Sequence, residues 1–316
     1  MTQPSTSVEP GNSALSAATV DQVLELVSAA AGADGVAPLS EDALLQLRHG
    51  STPPARDLVA YAGDHGAPER QLVGHAHMDA PDYAGQDGDI TAELVVHPAH
   101  RRVGHGGALL ANVLSLAGDH GVRIWAHGDL PGSAALASSF KLTRIRALFQ
   151  LRMPLATAPA AKPAFPAGVT VRTFVPGEDE AAWLGVNQRA FAHHPEQGSW
   201  TIKDLRVREE EPWFDPAGFF LAERDGRLVG FHWTKVHEPE DGSAPIGEVY
   251  VVGVDPGQQG GGLGRALTAT GLAHLRGLGL SEVMLYVDED NTTAVSMYTG
   301  LGFGRWSTDV MYRYAP

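Results

Sequence analysis

The chain has 316 residues, a length that predicts about two domains. Its formal net charge is −14 and 19% of its residues are charged, which argues against a broad nucleic-acid-binding surface, because phosphate binding needs a dense field of Lys and Arg. Cysteine is absent, which excludes disulfides, Cys-ligated zinc and a thiol nucleophile. Histidines show no metal-ligand spacing; His75 and His77 alternate on one predicted strand face, and we assign them structural roles and expect no metal.

The N-terminal residues 1–15 have the Ser, Thr, Pro and Gly content of a disordered tail. The first basic residue is Arg48, so the basic start of a secretory signal is missing. No apolar run reaches the roughly 18 residues that a membrane helix needs. We therefore expect a cytoplasmic protein that does not bind membranes. As a separate expectation, we take the protein to be a monomer.

An internal repeat organises the rest of the chain. The segment HPAHRRVGHGGALL, from His97, aligns without a gap with DPGQQGGGLGRALT, from Asp255, and QLVGHAH from Gln71 resembles RLVGFHW from Arg227. Self-similarity of this kind indicates two copies of one fold. An Ala- and Pro-rich stretch at 156–168 is typical of a semi-rigid linker. It separates an N-terminal domain, 16–155, from a C-terminal domain, 169–316.

The second copy predicts an alternation of strands and helices. A strand at 169–175 is followed by helices at 178–192 and 202–210, a hairpin turning at Asp225-Gly226, and a strand at 247–254. Leu263, Leu267, Gly271, Leu275 and Leu278 then recur at helical spacing, before a strand at 282–287, a short helix at 292–300 and a final strand at 303–314. The first copy repeats this order, so the fold class is α/β (α+β), with a mixed twisted sheet flanked by helices in each domain.

Two glycine-containing loops connect a strand to a helix. They read Arg101-x-x-Gly104-x-Gly106 and Gln259-x-x-Gly262-x-Gly264. A helix N-terminus presents unpaired N–H groups to an anion, and glycines allow the backbone to approach phosphates closely. One such loop is also compatible with a simple helix-capping turn, but its repetition in the same context favours a pyrophosphate site. Neither loop ends in the Gly-Lys-Ser/Thr of nucleoside triphosphatases.

Both loops resemble the Arg/Gln-x-x-Gly-x-Gly/Ala motif of the GCN5-related acetyltransferases, and Asn291 and Tyr298 match an Asn and a Tyr on a later helix of that family. The resemblance implies one acetyl-CoA per domain. The implied contacts in the first copy are Leu94, Val95, Val96, Arg101, Arg102, Val103, Gly104, His105, Gly106 and Gly107. Those in the second copy are Val252, Gly253, Val254, Gln259, Gly260, Gly261, Gly262, Leu263, Gly264, Arg265, Asn291, Thr292, Thr293, Ala294, Val295 and Ser296.

Acetyl transfer to an amine needs a base for the amine and an acid for the departing thiolate. Tyr298 suits the acid, the alternative being an aromatic that only packs, and Glu248 suits the base, the alternative being a solvated carboxylate at a strand end. At the same spacing the first copy has Phe140 and Ile90, so we predict that it binds the cofactor without catalysis. Its basic loop is expected to hold acetyl-CoA more tightly than the loop with Gly260 and Gly261.

Further stretches resemble the mycothiol synthases, a tandem branch of the same superfamily; they include HPEQGSWT, GFHWTKVH, GEVYVVGVDP and LYVDEDN. That resemblance implies acetylation of the cysteinyl amine of a cysteinyl-glucosaminyl-inositol, a small amino-thiol. The implied substrate contacts are Glu41, Glu196, Lys235, Glu248 and Tyr286. For three of these a plain structural role also fits: Glu41 as a helix-cap residue, Glu196 as an exposed helix start and Lys235 as a solvated strand lysine. Other amine acceptors, namely aminoglycosides, polyamines and peptide N-termini, and a non-catalytic acyl-CoA sensor remain alternatives.

Overall fold

The computed structural model describes residues 6–10, 15–50, 55–63, 70–80, 88–158, 163–194, 197–238 and 244–316. Contacts divide the chain into two compact units: the first unit comprises Met1–Leu148 and Ser307–Pro316, and the second unit comprises Phe149–Trp306. This division differs from the domain boundaries expected from the Ala- and Pro-rich stretch. The chain enters the second unit at Phe149, ahead of that stretch, and its C-terminal segment belongs to the first unit.

The described residues of the first unit form a mixed sheet and four α-helices. Its elements are β1 (Thr6–Pro10), α1 (Ala17–Asp34), α2 (Glu41–His49), β2 (Arg56–Ala62), β3 (Gln71–Met78), β4 (Ile90–Val96), α3 (His105–Ala117), β5 (Val122–Ala126), α4 (Pro131–Ser139), the start of β6 (Thr143–Pro154) and most of β12 (Gly304–Tyr314). The strands β1-β2-β3-β4-β5-β12 lie side by side in that order. All of these neighbours pair antiparallel except β4 and β5, which are parallel.

Two strand pairings of the first unit were not expected from the sequence. The strand β1 pairs with β2, with Val8 opposite Ala60, so the prediction of a disordered tail is wrong for Thr6–Pro10; residues 1–5 and 11–14 of that tail lie outside the described residues. The C-terminal strand β12 pairs with β5, with Val310 opposite Ala126. This pairing explains why the last segment of the chain groups with the first unit.

The second unit repeats the architecture. Its elements are the end of β6, β7 (Val169–Thr173), α5 (Glu180–Ala190), α6 (Ile202–Glu209), β8 (Phe219–Arg224), β9 (Arg227–His237), β10 (Ile246–Val254), α7 (Leu263–Gly277), β11 (Glu282–Asp288) and α8 (Thr292–Leu301). The strand order is β6-β11-β10-β9-β8-β7. The chain from β7 to β10 pairs antiparallel, whereas β10 and β11 pair in parallel. These bounds agree with the predicted elements to within two or three residues.

Local sequence signals account for several of these elements. Asp225 and Gly226 both adopt positive φ, 52° and 71°, the conformation that a two-residue turn between β8 and β9 requires. Thr201 and Asp204 form a reciprocal capping box at the start of α6. The helix α7 buries its predicted apolar stripe, except at Leu278, which follows the helix as its C-cap and is exposed. Within the part of the chain that the structure describes, no helix is both long and apolar enough to span a membrane.

The two units fill one corresponding face of their sheets differently. In the second unit the face under α5 and α6 is aromatic: Trp183, Phe219, Phe231 and Trp233 are all fully buried, and the rings of Phe219 and Trp233 stack with centroids 4.5 Å apart. In the first unit the face under α1 and α2 combines an aliphatic cluster with buried His75 and His77 on β3 and buried Glu93 on β4. The two faces therefore differ in their buried apolar residues, which are aromatic in the second unit and aliphatic in the first.

Candidate functional site

The sheet of the second unit opens between two parallel strands. The parallel pairing of β10 with β11 extends over Gly247 and Glu248 only, although β10 continues to Val254. Asp255 N–H donates to the carbonyl of Val229 on β9 (2.9 Å). Because backbone groups alternate in direction along a strand, the peptide groups of Val254 and Val252 point away from β9 into the opening, while Gly253 is turned toward β9. Two of the three predicted backbone contacts thus face this opening.

The first unit has a similar but shorter opening. Its parallel pairing runs from Ile90 to Glu93 on β4, and His97 N–H donates to the carbonyl of Val73 (2.9 Å). By the same alternation the peptide groups of Val96 and Leu94 point into the opening, and Val95 is turned toward β3. The repeat therefore reproduces the backbone geometry in both units.

Each opening is followed by a helix whose N-terminus is free of side-chain caps. Gly262 and Gly104 are the N-caps of α7 and α3, both have positive φ (82° and 105°), and neither helix start receives a side-chain cap hydrogen bond. The first N–H groups of such a helix have no intrahelical partner and form an anion site. A Cβ on Gly264 would lie 3.6 Å from Val254 and one on Gly106 3.7 Å from Val96. These cradles fit the pyrophosphate that acetyl-CoA carries.

The residues before these helices are arranged alike in both loops. Gln259 Nε2 donates to the Val254 carbonyl (3.3 Å) and Arg101 Nε donates to the Val96 carbonyl (3.0 Å). Gly260 has φ 83°, and its counterpart Arg102 is held at φ 66°, where a residue with a Cβ is strained. Gly260 therefore supplies a backbone conformation that the first loop reaches only with strain.

The structure weakens the electrostatic reason for tighter binding by the first loop. The Arg101 guanidinium makes a bidentate pair with Asp34, at 2.6 and 2.7 Å, which neutralises its charge. His105 is buried, and burial together with nearby His100 lowers its pKa, so it is neutral near pH 7. Of the three basic residues of this loop, Arg101, Arg102 and His105, Arg102 is exposed and is the one whose charge faces solvent.

The predicted base lies where the pairing of β10 and β11 ends. Glu248 is 6% exposed, lies directly opposite Lys235 on β9, and its Oε2 is 2.7 Å from Nε2 of His237. A carboxylate that is buried yet adjacent to the opening is placed to accept a proton from a bound amine. This burial removes the alternative of a solvated carboxylate at a strand end.

Lys235 is likewise not the solvated strand lysine that the sequence left open. It is 8% exposed, and its Nζ lies 4.3 Å from the ring centroid of Trp213 and 5.3 Å from that of Tyr250. Tyr250 is the extra residue at an irregularity in the β9–β10 register, and its hydroxyl accepts a hydrogen bond from Arg208 Nε (2.8 Å). The electron-rich faces of the Trp213 and Tyr250 rings thus hold the ammonium group of Lys235.

The remaining predicted substrate residues are distributed as follows. Tyr286 on β11 is exposed, and its hydroxyl accepts a hydrogen bond from Gln150 Nε2 (2.7 Å). Glu41 belongs to the first unit, where it is the first residue of α2; the N-cap role is taken by Ser40, whose Oγ accepts from Ala43 N–H (3.2 Å). Glu196 lies outside the described residues.

The predicted acid, Tyr298, lies on α8 in the core of the second unit. Burial raises its pKa to about 12, so its hydroxyl keeps its proton at neutral pH, and its ring packs edge-on against Phe303 at 5.7 Å. The packing role and the acid role are compatible. Asn291 has a structural task as well: it caps α8, with Oδ1 accepting from Ala294 N–H (3.1 Å).

Structural equivalence corrects two residue matches made at fixed spacing. Phe303 N–H bonds the Tyr298 carbonyl and Leu142 N–H bonds the Ala137 carbonyl, so the counterpart of Tyr298 is Ala137 and not Phe140. The extra residue in β10 also shifts the counterpart of Glu248 from Ile90 to Thr91, which pairs with Asp79 as Glu248 pairs with Lys235. Neither Ala137 nor Thr91 supplies the missing acid or base.

Sequence reasoning missed a buried charge cluster in the first unit. His127 lies between Asp309 (3.0 Å) and Glu93 (3.6 Å), and Glu93 also accepts from Ser40 N–H (2.6 Å). Burial opposes a charge on His127, but the two carboxylates outweigh it and raise its pKa to about 10. The partners come from distant parts of the chain, so no local motif reveals them.

His75 and His77, in contrast, drew attention through their alternation. A ring nitrogen of each histidine lies 2.9 Å from Asp57 Oδ1, and both histidines are buried. Among the described residues no group of three or more histidines and carboxylates is arranged to hold a metal ion. Asp57 thus gives both histidines a hydrogen-bonding partner, and their structural role stays a prediction from the sequence.

Comparisons with known proteins agree with this geometry. The profile of the acetyltransferase (GNAT) family matches residues 24–138 and 187–303. A mycothiol acetyltransferase from Thermobispora bispora is 59% identical over 294 residues, covering 93% of this chain and 95% of that protein. A second, from Thermomonospora curvata, is 56% identical and covers 94% of each chain.

Two solved structures show the same fold. A tandem GNAT protein from the clavulanic acid biosynthesis pathway superposes with a TM-score of 0.73 at 22% identity, covering 98% of each chain. A GCN5-related N-acetyltransferase from Sphaerobacter thermophilus gives a TM-score of 0.67 at 24% identity, covering 97% of this chain and 95% of that one.

Proposed function

Because the chain belongs to the acetyltransferase (GNAT) family and is more than half identical to curated mycothiol acetyltransferases along most of its length, we propose that it acetylates desacetylmycothiol. The acceptor is the cysteinyl amine of this cysteinyl-glucosaminyl-inositol, and the product is mycothiol. The observation that carries the proposal is the buried Glu248, opposite Lys235, at the start of the opening in the second unit.

Acetyl-CoA, the co-substrate of this family, supplies the thioester carbonyl that the amine attacks. Glu248 accepts a proton from the ammonium group of the acceptor, so that the nitrogen lone pair is released for attack. The outward-pointing N–H groups of Val252 and Val254 are placed to donate to the carbonyl oxygen as negative charge develops on it. Tyr298, protonated at neutral pH, donates its proton to the departing sulfur as the carbon–sulfur bond breaks. The second proton that the nitrogen loses on becoming an amide passes to solvent, from which the phenolate of Tyr298 regains a proton.

The substrate side of the proposal rests on charge and polarity. The acceptor has a cationic amine and many hydroxyls, and buried Lys235 and exposed Tyr286 offer hydrogen bonds next to the Glu248 carboxylate. We propose that Lys235, Tyr286 and Glu248 contact the substrate. For Glu41 and Glu196 the role stays a prediction from the sequence.

The two units divide the labour. Both units have an uncapped helix N-terminus after the opening. The acid Tyr298 and the base Glu248 of the second unit, however, correspond to Ala137 and Thr91 in the first. We therefore propose two acetyl-CoA sites per chain, one of them productive. The proposal requires one chain and no other subunit, and we place the reaction in the cytoplasm, where acetyl-CoA is available.

Turnover with a panel of amines tests the proposal. The purified chain is incubated with acetyl-CoA and either the cysteinyl-glucosaminyl-inositol, an aminoglycoside, a polyamine or a peptide, and CoA formation is followed by chromatography. We expect CoA formation with the cysteinyl amine at the highest kcat/KM. Preference for another amine would refute the proposed substrate, and binding of acetyl-CoA without turnover of any amine would make the chain a sensor.

A further inference from the structure

Glu248 has a hydrogen-bonding partner to which no role has been given. Nε2 of His237, the last residue of β9, lies 2.7 Å from Oε2 of Glu248. The two residues lie on adjacent strands: Glu248 is directly opposite Lys235, and His237 is two positions further along the same strand face. The contact is therefore built into the pairing of β9 with β10.

The exposure of the two side chains differs in a way that matters for catalysis. The Glu248 side chain is 8% exposed and that of His237 is 34% exposed. The carboxylate is thus withdrawn into the protein, and the imidazole lies on its solvent side. A buried carboxylate without a donor would rotate about its last bond or attract the ammonium group of Lys235, which lies on the same face.

We propose that His237 is a positioning residue for the base, an inference that rests on the proposed function. His237 Nε2–H donates to Oε2 of Glu248 and leaves Oε1 directed to the acceptor amine. During the reaction the amine N–H bond breaks, an O–H bond forms on Oε1, and the nitrogen keeps the electron pair with which it attacks. The His237 hydrogen bond persists throughout, because Oε2 accepts in both the charged and the neutral carboxyl group.

The neighbouring charged group does not substitute for this contact. Lys235 Nζ is held over the rings of Trp213 and Tyr250, so its ammonium group is anchored toward the aromatic platform. His237 supplies a planar donor whose direction is fixed by the ring. A histidine at this position therefore orients the carboxylate as well as bonding it.

Two substitutions separate donation from simple packing. His237→Leu removes the donor, and His237→Gln keeps an N–H donor at about the same reach. We expect His237→Leu to lower kcat about 10- to 100-fold, the effect of losing one hydrogen bond to a charged group, with the KM for acetyl-CoA unchanged; His237→Gln should recover most of the loss. His120→Leu is the matched control, because this half-buried histidine of the first unit makes a polar contact with Gly88 (3.1 Å) and should leave kcat unaltered.

A double-mutant cycle decides whether His237 acts through Glu248. In the Glu248→Gln background, adding His237→Leu should change kcat by less than about twofold, because the base is already gone. Independent, multiplicative losses would overturn the inference, as would equal losses in the Leu and Gln variants.

Nitrogen-15 spectra of the imidazole test the contact without any turnover. We expect the wild-type His237 ring to be fixed with its proton on Nε2, and this preference to disappear in Glu248→Gln; a proton on Nδ1 of a neutral His237 in the wild-type chain would overturn the inference. A chain that acetylates no amine would refute the proposed function, and these spectra would still decide whether His237 holds Glu248.

Discussion

Replacing Tyr298 by Phe removes one hydroxyl and keeps the ring that packs against Phe303. If Tyr298 protonates the departing sulfur, kcat should fall about 100- to 10,000-fold, the usual contribution of a general acid, and acetyl-CoA binding should stay nearly unchanged. Turnover assays measure kcat, and calorimetric titration measures acetyl-CoA binding. Tyr61→Phe, in the first unit, is the control for a lost phenol. Turnover of Tyr298→Phe at the wild-type rate would refute the acid role.

The pKa of Tyr298 gives the same substitution a second, independent readout. Burial raises this pKa from 10 to about 12, so the unfolded chain loses the proton first as the pH rises. Between about pH 10 and pH 12 the folded state binds more protons, and stability must fall by about 3 kcal/mol in total. Urea unfolding at rising pH should show this fall in the wild type and a smaller one in Tyr298→Phe. An identical alkaline decline in both chains would show that the hydroxyl is not buried as described.

Three further predictions follow from the site and its surroundings. Glu248→Gln should lose activity at neutral pH and regain part of it at alkaline pH, where more amine is neutral; a loss independent of pH would exclude base catalysis. Gly264→Leu should fill the gap between α7 and Val254 and abolish turnover. Gly106→Leu should reduce the number of acetyl-CoA molecules bound per chain by one, as measured by calorimetry, and leave turnover intact. Loss of turnover in a folded Gly106→Leu chain with an intact second site would contradict the assignment of catalysis to the second unit alone. His127→Phe should lower the free energy of unfolding by about 3–5 kcal/mol, because it leaves two buried carboxylates without their cation. The pKa of His127 is raised to about 10, so the stabilisation by its charge is complete below about pH 6.5 and is lost as the pH rises toward 10. Urea unfolding of both chains at several pH values measures this difference.

Local patterns predicted the elements that local physics determines. The glycines of the two loops indicated a backbone that can approach a phosphate closely, and Gly104 and Gly262, the N-caps of α3 and α7, adopt positive φ. Asp225-Gly226 indicated the hairpin, and the apolar spacing after Leu263 indicated α7. In each case the residues that define the feature lie within a few positions of one another, so the sequence alone contains the information.

Features that depend on distant residues were not predictable in this way. The ion pair of Arg101 with Asp34 neutralises a charge that we had expected to be available to the phosphates of acetyl-CoA. The extra residue Tyr250 in β10 displaces the match of Glu248 by one position. The strand that contains Asp309 completes the first unit from the far end of the chain. Each of these features is set by the pairing of strands or side chains far apart in sequence.

The central claim is that the second unit transfers an acetyl group to the cysteinyl amine. The most direct test is to supply acetyl-CoA labelled with carbon-13 in the acetyl group, add the cysteinyl-glucosaminyl-inositol, and locate the label in the product by NMR. The account predicts an amide on the cysteinyl nitrogen with the wild-type chain and none above background with the Glu248→Gln, Tyr298→Phe double variant. Label on another atom of the acceptor, or an equal yield of amide from the double variant, would contradict it.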